Sequence, residues 1–388
     1  MRLVPIGELV ESIDRGGPPR STEEFTYIDL GSVDADLKRI TSPASISVAA
    51  APSRARQRLR SGDVLVSTVR PNLNGVATVP AELDGSIGST GFAVLRPKAD
   101  ELDERYLFHW VRSQPFVGAM TAFATGASYP AVTDRIVKQS RIPLPPLAEQ
   151  RRIATILDQA DALRKAAGRA ARLVKEVARE VTSGALRSSD GRRALRDLGV
   201  TISSGLSVGD GGDTPHPINR VLKVSAVSRG TFDSSETKPM PRDYAPPAAH
   251  KVHPQDLLMT RASGSVDLIA RSTFVDEVAE DVYLPDKIWR VSLAEDSPLS
   301  LRLLDGLTRE PEFRAYVANA SSGASGVRNI SQAKVLAFEA PVPDEAAVRA
   351  ADEILDQLEQ HARIRRKRAA GLDALFASLQ HRAFCGEL

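Results

Sequence analysis

Two long helices are predicted by hydrophobic residues that recur at alternating intervals of three and four positions. In the first helix these residues are Ile153, Ile156, Ala160, Leu163, Ala167, Ala170, Val174, Val177 and Val181. In the second they are Val348, Ala351, Leu355, Leu358, Ala362, Ala369, Leu372, Phe376 and Leu379, interrupted only by Arg365. This spacing is typical of a coiled-coil seam. Small residues in the first seam face large ones in the second, so we predict that the helices pair with each other, antiparallel. The alternative is that each helix packs only on its own globule, although helices of globules seldom keep a seam for nine positions.

Shorter apolar runs separated by turn residues predict strands on either side of the first helix. The strand-like runs are Phe25 to Ile28, Asp63 to Ser67, Gly91 to Leu95, Arg220 to Val224, Asp256 to Thr260 and Ile288 to Val291. A short helix is predicted from Glu104 to Arg112. The prolines from Pro143 to Pro146 mark where the first long helix can begin, and Gly184 stands where it is expected to end. The predicted fold class is α+β.

The chain repeats itself at a distance of about two hundred residues. Ile156-Leu157-Asp158-Gln159 returns as Ile354-Leu355-Asp356-Gln357, a shift of 198 positions. Gly126-Ala127-Ser128 returns as Gly323-Ala324-Ser325, and Gly62-Asp63-Val64-Leu65 as Gln255-Asp256-Leu257-Leu258. The repeat predicts two similar globules, residues 1–142 and 187–340, which alternate with the helical segments 143–186 and 341–388. A duplication on this scale indicates two similar tasks carried out at two places.

Composition narrows the functional classes. The 388 residues are 42% hydrophobic and 26% charged, as in ordinary globular proteins, and the one cysteine, Cys385, excludes a disulfide framework. The N-terminal residues lack the apolar core of a signal peptide, and no apolar run is long enough for a membrane span. We therefore expect a cytoplasmic protein. Because the net charge is only +2, a DNA-binding surface would have to be formed locally.

Basic residues between the seam positions offer one such local surface. They are Arg151, Arg152, Arg164, Lys165, Arg169, Arg172, Lys175 and Arg179 on the first helix and Arg363, Arg365, Arg366, Lys367 and Arg368 on the second. These side chains could follow the phosphates of a duplex. The alternative is an ordinary solvated helix face, because acidic residues such as Asp158, Asp161, Glu176 and Glu180 dilute the positive charge.

Sequence signatures of catalysis are missing. The chain has no Gly-rich loop ending in Gly-Lys-Ser/Thr, which ATP hydrolysis would need as a phosphate cradle. It also has no Asn-Pro-Pro-aromatic or Asp-Pro-Pro-aromatic sequence, by which amino-methylating enzymes hold a flipped base. Asp213 with Glu236-Thr237-Lys238 loosely matches a metal-dependent nuclease, but such a match is common by chance in charged loops. No catalytic residue and no metal site are predicted.

Two loops in each globule carry the side-chain types that bind nucleic acid. In the first globule the candidate DNA-binding residues are Ser67, Thr68, Arg70, Asn72 and Asn74, followed by Ser128 and Tyr129. In the second they are Thr260, Arg261 and Ser263, followed by Arg328 and Asn329. Hydroxyl, amide and guanidinium groups pair with base edges or phosphates. The alternative is that the same loops are rich in turn residues for geometry alone.

Several of these motifs resemble one family, the specificity subunits of type I restriction-modification systems. The resemblance is carried by Val64 to Leu73, Thr125 to Val132, Ile142 to Gln150 with its following helix, Asn329-Ile330-Ser331-Gln332, and Arg382 to Leu388. The Pro143-Leu144-Pro145-Pro146-Leu147-Ala148-Glu149-Gln150 segment is the most specific of them. The second half departs from the pattern, because Val342-Pro343-Asp344-Glu345 replaces that segment and Gln255 replaces the expected glycine.

The resemblance implies a DNA-recognition subunit that is not itself an enzyme. Each of two target recognition domains would read one half of a bipartite, asymmetric DNA sequence, with the paired helices holding the domains apart. A helix of about 35 to 38 residues spans roughly 55 Å, or about 16 base pairs. Two methyltransferase subunits would dock on the helices and restriction or motor subunits would join them. S-adenosylmethionine, ATP and magnesium would then belong to these partners, and the chain itself would hold no cofactor.

Two other functional classes remain open at the level of sequence. One is a nuclease or a methyltransferase-linked enzyme with catalytic activity of its own. The other is a structural coiled-coil adaptor whose globules bind protein. Assays of the purified chain for cleavage and methyl transfer address the first, and specific DNA protection by the full complex would exclude the second.

Overall fold

The computed structural model describes residues 1–18, 22–126, 128–188, 190–207, 218–228, 230–242, 244–323 and 327–388. The chain forms two compact units. Unit 1 comprises Met1–Ala170 and Arg365–Leu388, and unit 2 comprises Ala171–Ile364. Among the described residues, no helix combines the length and the apolar character that crossing a membrane requires.

The first part of unit 1 is built mainly of short strands. They are β1 (Leu3–Pro5), β2 (Val10–Glu11), β3 (Glu24–Ile28), β4 (Val33–Asp34), β5 (Arg39–Ile40), β6 (Ala44–Ser47), β7 (Ala55–Arg58), β8 (Val64–Ser67), β9 (Val76–Thr78), β10 (Ile87–Ser89), β11 (Phe92–Pro97) and β12 (Arg141–Pro143). One four-stranded sheet has the order β6-β3-β10-β7 and another the order β2-β11-β8-β9. Strand β8 lies inside its sheet, where Val64, Leu65 and Val66 are buried, as expected for a continuous apolar run flanked on both sides.

The N-terminal part of unit 1 also contains three short helices and the first part of a long one. They are α1 (Glu104–Val111), α2 (Gln114–Phe123), α3 (Asp134–Gln139) and α4 (Leu147–Leu186). Asp103 caps α1 by accepting hydrogen bonds from the N–H groups of Arg105 and Tyr106. Strands β1 and β12 pair antiparallel, with Leu3 opposite Pro143, and join the two ends of the globule just before α4 begins.

The first turn of α4 contains a buried glutamine, Gln150, that ties the helix to the globule. The Nε2 atom of Gln150 donates to the carbonyl oxygens of Glu101 and Pro145, both at 3.0 Å. Its Oε1 atom accepts from the backbone N–H of Asp103 at 2.9 Å. Because this amide is buried and each of its polar atoms is satisfied, it fixes the first turn of α4 against the start of α1.

Unit 2 repeats the mixture of short strands and helices. Its strands are β13 (Arg192–Ala194), β14 (Val200–Ser204), β15 (Arg220–Leu222), β16 (Thr237–Pro239), β17 (Leu257–Thr260), β18 (Ala262–Ser263), β19 (Ser272–Phe274), β20 (Val282–Tyr283), β21 (Ile288–Leu293), β22 (Arg328–Asn329) and β23 (Glu339–Pro341). Its helices are α5 (Ser225–Ser228), α6 (Leu301–Leu307), α7 (Pro311–Ala320), α8 (Gln332–Leu336) and α9 (Glu345–Cys385), the last of which continues into unit 1. The main sheet has the order β14-β21-β17-β19, so the buried strand β17 is the counterpart of β8.

The two long helices pair antiparallel within each unit. In unit 1, Arg152 of α4 donates to the carbonyl oxygen of Leu388, and Arg164 donates to Asp373 at 2.6 Å. The partner's number falls as the residue number on α4 rises, which defines an antiparallel arrangement. In unit 2, an apolar cluster brings Ala185 of α4 together with Ala351 and Leu355 of α9. The predicted fold class and antiparallel pairing are confirmed.

The predicted seam of α9 is correct, whereas the predicted seam of α4 is wrong at two positions. On α9 the apolar seam residues are buried or half-buried and only Arg365 is exposed. On α4, Leu163 and Val177 are exposed. Leu157 is buried instead, and Arg164 and Ala178 are half-buried. Arg164 explains the error, because a search for apolar residues cannot detect an arginine that stacks on Phe376 at 4.5 Å.

The expected end of α4 at Gly184 is also slightly wrong. The helix continues to Leu186, and Gly184 is an ordinary helical residue with open space beside it. Ala185 and Leu186 are both buried, so packing of the last turn extends the helix beyond the glycine. The predicted strands and the predicted helix from Glu104 are all present in the structure.

Candidate nucleic-acid interface

The loop that follows β8 in unit 1 exposes two of the predicted DNA-binding residues. Arg70 and Asn74 both adopt left-handed backbone conformations with φ of 50°, and they bracket a single helical turn at Pro71–Leu73. Non-glycine residues seldom adopt this conformation, and they do so preferentially at functional sites. Pro71 is buried beneath the turn, and the side chains of Arg70 and Asn72 are exposed.

A second loop holds Arg70 in place. The backbone N–H of Arg70 donates to the carbonyl oxygen of Pro130 at 2.7 Å, and Val69 forms a bridge with Ala131. The guanidinium group of Arg70 lies over the ring of Tyr129, 4.6 Å from its centre. Since a cation over an aromatic face is attracted to it, the ring preorganises an otherwise flexible side chain. Tyr129 is itself 68% exposed, and neighbouring Ser128 is exposed too.

Asn74 and Lys38 support the loop from below. The Nδ2 atom of Asn74 donates to the carbonyl oxygen of Arg112 at 3.2 Å, and Lys38 Nζ donates to the carbonyl oxygen of Asn74. Burial and the neighbouring Arg112 guanidinium lower the pKa of Lys38 to about 8. Lys38 comes from the turn between β4 and β5, and no feature of the sequence linked it to this loop.

The hydroxyl groups at the end of β8 are used inside the fold. Ser67 Oγ donates to the carbonyl oxygen of Val69 at 2.8 Å, and the buried Thr68 Oγ1 donates to the carbonyl oxygen of Gly91 at 2.7 Å. In this conformation both residues shape the loop. The exposed side chains of Arg70, Asn72, Ser128 and Tyr129 form the surface that can meet a ligand, and their contact with DNA remains a prediction.

Unit 2 presents its predicted residues on a two-stranded ribbon. Strand β18 pairs antiparallel with β22, so that Ala262 faces Asn329 and Ser263 faces Arg328. Arg261 lies at the start of the ribbon, where its backbone N–H donates to the carbonyl oxygen of Lys287 at 2.9 Å. The side chains of Arg261, Arg328 and Asn329 are exposed. The second predicted cluster is thus brought together, as the first is.

Thr260 differs from its neighbours because it is completely buried. Its Oγ1 atom donates to the carbonyl oxygen of Leu268 and also accepts from the backbone N–H of Arg271 at 3.1 Å. Thr260 therefore holds the loop that leaves β17, in the same way that Thr68 holds the loop after β8.

Arg314 of α7 anchors the loop at residues 266–269. Its Nη1 atom donates to the carbonyl oxygen of Ile269 at 2.7 Å, and its Nη2 atom donates to those of Val266 and Asp267, both at 3.1 Å. Burial, and after it the charge of Arg271, lowers the pKa of Arg314 to about 10. Arginine keeps its charge at neutral pH even so, and the three carbonyl groups satisfy its fork of donors. This anchor was not identified from the sequence.

Several basic residues on the long helices are paired with acids. Lys165 Nζ lies 3.0 Å from Asp161, and Arg172 lies 3.5 Å from Glu176. Asp161 also accepts from Arg112 at 3.0 Å, and although burial alone would raise its pKa, these cations lower it to about 2. Lys165 is consequently a weaker candidate for phosphate contact than the exposed Arg169.

The weak nuclease match and one repeated motif cannot be placed completely. Asp213, Ala127 and the segment 324–326 lie outside the described residues. Within the described ranges, no three His, Cys, Asp or Glu side chains are grouped so as to hold a metal ion.

Comparison with known proteins identifies the class of protein that shares these features. Residues 56–170 match the family model described as type I restriction modification DNA specificity domain. The EcoKI specificity subunit of the type I restriction enzyme of Escherichia coli (strain K12) is 23% identical over 319 residues, which cover 76% of this chain and 68% of that protein. The region matched by the family model, residues 56–170, includes β8, the loop that follows it, the loop that contains Tyr129 and the first half of α4.

Solved structures agree with the sequence comparison. A chain from work on complex assembly and conformational transition of the type I R-M system is 25% identical, with a TM-score of 0.56, and the match covers 100% of this chain and 98% of that one. The S subunit of a type I restriction-modification system from M. genitalium, at 13% identity, shares the fold with a TM-score of 0.57 over 99% of this chain and 96% of its own. The family-model match and the EcoKI subunit bear out the resemblance that the motifs indicated, and the M. genitalium structure bears out the fold.

Proposed function

We propose that this chain, as a DNA specificity subunit of a type I restriction-modification system, reads a bipartite and asymmetric DNA target, one half with each globule. One observation carries the proposal. Each unit places an exposed arginine close to the end of its buried central strand, Arg70 three residues after β8 and Arg261 immediately after β17, and supports it with a second loop or strand. Arginine donates two parallel hydrogen bonds to guanine, the commonest specific contact in the major groove. Because the two loops differ in sequence, the two half-sites should differ as well.

The long helices are proposed to set the distance between the half-sites. Helix α4 has 40 residues and α9 has 41. At 1.5 Å per residue each is about 60 Å long, which corresponds to about 18 base pairs of duplex. A continuous helix is a stiff connector, so the unread spacer should have one preferred length.

The partners and cofactors follow from the same proposal. Two methyltransferase subunits would bind along the helices and modify an adenine in each half-site, and restriction or motor subunits would join this assembly. S-adenosylmethionine, ATP and magnesium would be bound by those subunits. The chain would act as a non-catalytic recognition subunit in the cytoplasm, where it meets the double-stranded DNA.

The test is coexpression of the chain with its methyltransferase subunit, followed by sequencing of methylated positions in the host DNA. We expect one split motif with two unlike halves and a fixed spacer. The purified chain alone should neither cleave nor methylate DNA. Activity of the isolated chain would overturn the recognition role in favour of a nuclease or a methyltransferase-linked enzyme, and a motif without two halves would overturn the bipartite reading.

Shortening both helices tests the proposed spacing role separately. Deletion of residues 164–170 together with the paired seven residues of α9 removes one heptad from each helix. The spacer should shorten by about three base pairs, because seven residues rise about 10.5 Å, while both half-site sequences stay the same. An unchanged spacer would show that another part of the assembly determines the distance.

A further inference from the structure

The repeated Ile-Leu-Asp-Gln motif places an aspartate at the same position of both long helices. Asp158 of α4 accepts hydrogen bonds from Arg105 of α1, and Asp356 of α9 accepts one from Arg302 of α6. The aspartates are separated by 356 − 158 = 198 residues and the arginines by 302 − 105 = 197. Each pair lies entirely within one unit and joins a helix of the globule to a long helix. We call these two pairs the domain clamps.

The clamp of unit 1 is part of a larger network that includes a buried histidine. Arg105 Nε donates to Asp158 Oδ2 at 3.1 Å, and the fully buried His109 Nε2 lies 2.8 Å from Asp158 Oδ1. The carbonyl oxygen of His109 accepts from Gln380 Nε2 of α9 at 3.0 Å. Helix α1 is therefore bonded to both long helices at once.

The carboxyl group of Asp158 is ionised in this network. Burial would raise its pKa, but hydrogen bonds from His109 and Arg105 outweigh the effect and hold it well below the usual range. The clamp is thus a charged contact over the whole physiological pH range.

The clamp of unit 2 has a second polar contact one turn earlier. Ser300 Oγ donates to Asp352 Oδ1 at 2.6 Å, while Arg302 donates to Asp356. In place of His109 stands Gly306, where a Cβ atom would lie 2.9 Å from Thr182 Cβ of α4. Thr182 precedes Gln380 by 198 positions, the same shift that relates Asp158 to Asp356. Equivalent positions of the long helices therefore contact the globule in both units.

Both arginines also contact the sheet of their own globule at equivalent strands. Arg105 Nη1 donates to Thr78 Oγ1 of β9 at 3.4 Å, and the Arg302 guanidinium lies 5.7 Å from the ring centre of Phe274 in β19. Strands β9 and β19 each neighbour the central strand that leads to the candidate DNA-binding loop. The arginine thus links that sheet to the long helix.

Stability alone does not account for the recurrence of these pairs. Their side chains are about one third exposed in unit 1, and 26% and 51% exposed in unit 2, so each pair should add little to folding. Some of the surrounding residues differ between the units, as His109 and Gly306 do, whereas the charged pair recurs. A bidentate or charge-assisted contact adds geometric restraint even where its net energy is small.

From this recurrence we infer that Arg105, Asp158, Arg302 and Asp356 are positioning residues, which fix the angle of each globule on its long helix. The inference rests on the proposed function and deepens it. If the angle is fixed, the recognition loops of the two globules meet the DNA at one separation, and the clamps help to select the spacer length.

The experiment uses the complex with the methyltransferase subunit and duplexes that carry the motif with its native spacer, or with one base pair more or fewer. Wild-type complex should prefer the native spacer. The Arg302→Gln complex should keep its affinity for each half-site sequence. Its preference for the native spacer should fall by up to about fivefold, the largest change that a partly exposed ion pair supports. Arg105→Gln should act in the same direction.

Charge reversal provides a rescue that a general loss of packing would not show. Arg302→Asp combined with Asp356→Arg should restore the spacer preference, and an acidic residue in the first turn of α6 suits the helix dipole. Arg349→Ala is the matched control, because it removes an exposed ion pair, with Glu345, that lies within α9.

The result separates the inference from the function on which it rests. Specific binding of the native duplex by the wild-type complex reports the function. An unchanged spacer profile in Arg302→Gln, or a relaxed profile that charge reversal does not restore, would overturn the positioning role and leave the recognition function standing.

Discussion

The junctions between globule and long helices differ between the two units although they use the same positions. In unit 1 the junction is filled by large side chains, His109 from α1 with Phe376 and Gln380 from α9. In unit 2 the equivalent positions hold Gly306, Ala178 and Thr182, so that α6 approaches α4 closely. The charged contacts to the repeated aspartates are common to both.

The comparison separates two kinds of interaction at the junctions, the packing of side chains, which differs between the units, and the charged contacts, which recur. A junction can be well packed with large side chains or with small ones and a closer approach of the helices, provided that the side chains fill the space between them. The angle of the globule is a separate property, and a directional charged pair can preserve it while the packing changes. The two candidate DNA-binding loops are likewise held by different polar side chains. Asn74 and Lys38 hold one, and Arg314 holds the other.

Removing the bulk of the first junction should produce the largest loss of stability. His109→Ala deletes a buried ring and leaves Asp158 without one of its hydrogen bonds, so the free energy of unfolding should fall by about 3 kcal/mol. Urea unfolding of the variant and the wild type measures the change. His109→Gln, which retains a donor and much of the volume, should recover part of the loss, and equal losses for both would show that volume and hydrogen bonding are irrelevant here.

Adding bulk to the second junction tests the opposite case. Gly306→His places a ring where Thr182 already lies, and overpacking should cost about 2 kcal/mol. The second substitution Thr182→Ala should relieve part of that cost, since it removes the colliding methyl and hydroxyl groups. Additive losses in the double variant, measured by urea unfolding, would contradict the close approach of α6 and α4.

The helices and strands could be predicted far better than these junctions. Periodicity located α9 and its seam, because the inward side chains there are apolar. It failed on α4 where Arg164 lies inward, since charge and stacking stabilise that position. The repeated Asp158 and Asp356 were visible in the sequence, but their arginine partners lie more than fifty residues away and nothing local connects them.

The candidate site shows a similar division. The sequence indicated both loop clusters and exposed members of each, such as Arg70 and Arg261. It did not separate these from Thr68 and Thr260, whose hydroxyl groups are consumed by backbone carbonyls. For Thr260 and Arg261, alternation along the strand could have indicated this, because neighbouring side chains point to opposite faces. Thr68 and Arg70 are two positions apart, so alternation does not separate them.

Substitution of the exposed arginines should separate the two halves of the DNA target. If Arg70 makes a bidentate contact to guanine, Arg70→Ala should cost about 1–3 kcal/mol at one position of one half-site. Arg261→Ala should act in the same way on the other half-site only. Titrations of the complex with matched and mismatched duplexes at several salt concentrations provide the measurement.

A control for phosphate contact is available on the long helix. Arg169→Ala should weaken binding to all sequences alike and make the salt dependence shallower by about one unit. A uniform loss from Arg70→Ala, with sequence preference intact, would assign Arg70 to the DNA backbone and leave the base-reading residues of this globule to be found elsewhere.

The smallest expected effect is a dependence of stability on pH that only the first junction should show. Burial, opposed by the hydrogen bond to Asp158 and assisted by Arg112, lowers the pKa of His109, so the ring is neutral in the folded chain. In the unfolded chain it binds a proton below its ordinary pKa of about 6.5. Acid therefore favours unfolding, and stability should fall between pH 7 and pH 5.5 by at most about 1 kcal/mol. The carboxyl groups of Asp158 and Asp161 have lowered pKa values, so their contribution is lost only in more acidic solution.

His109→Gln should flatten the pH profile of urea unfolding over this interval, whereas Gly306→His should leave it in place. An identical slope in wild type and His109→Gln would mean that the ring is charged, or solvated, in the folded junction.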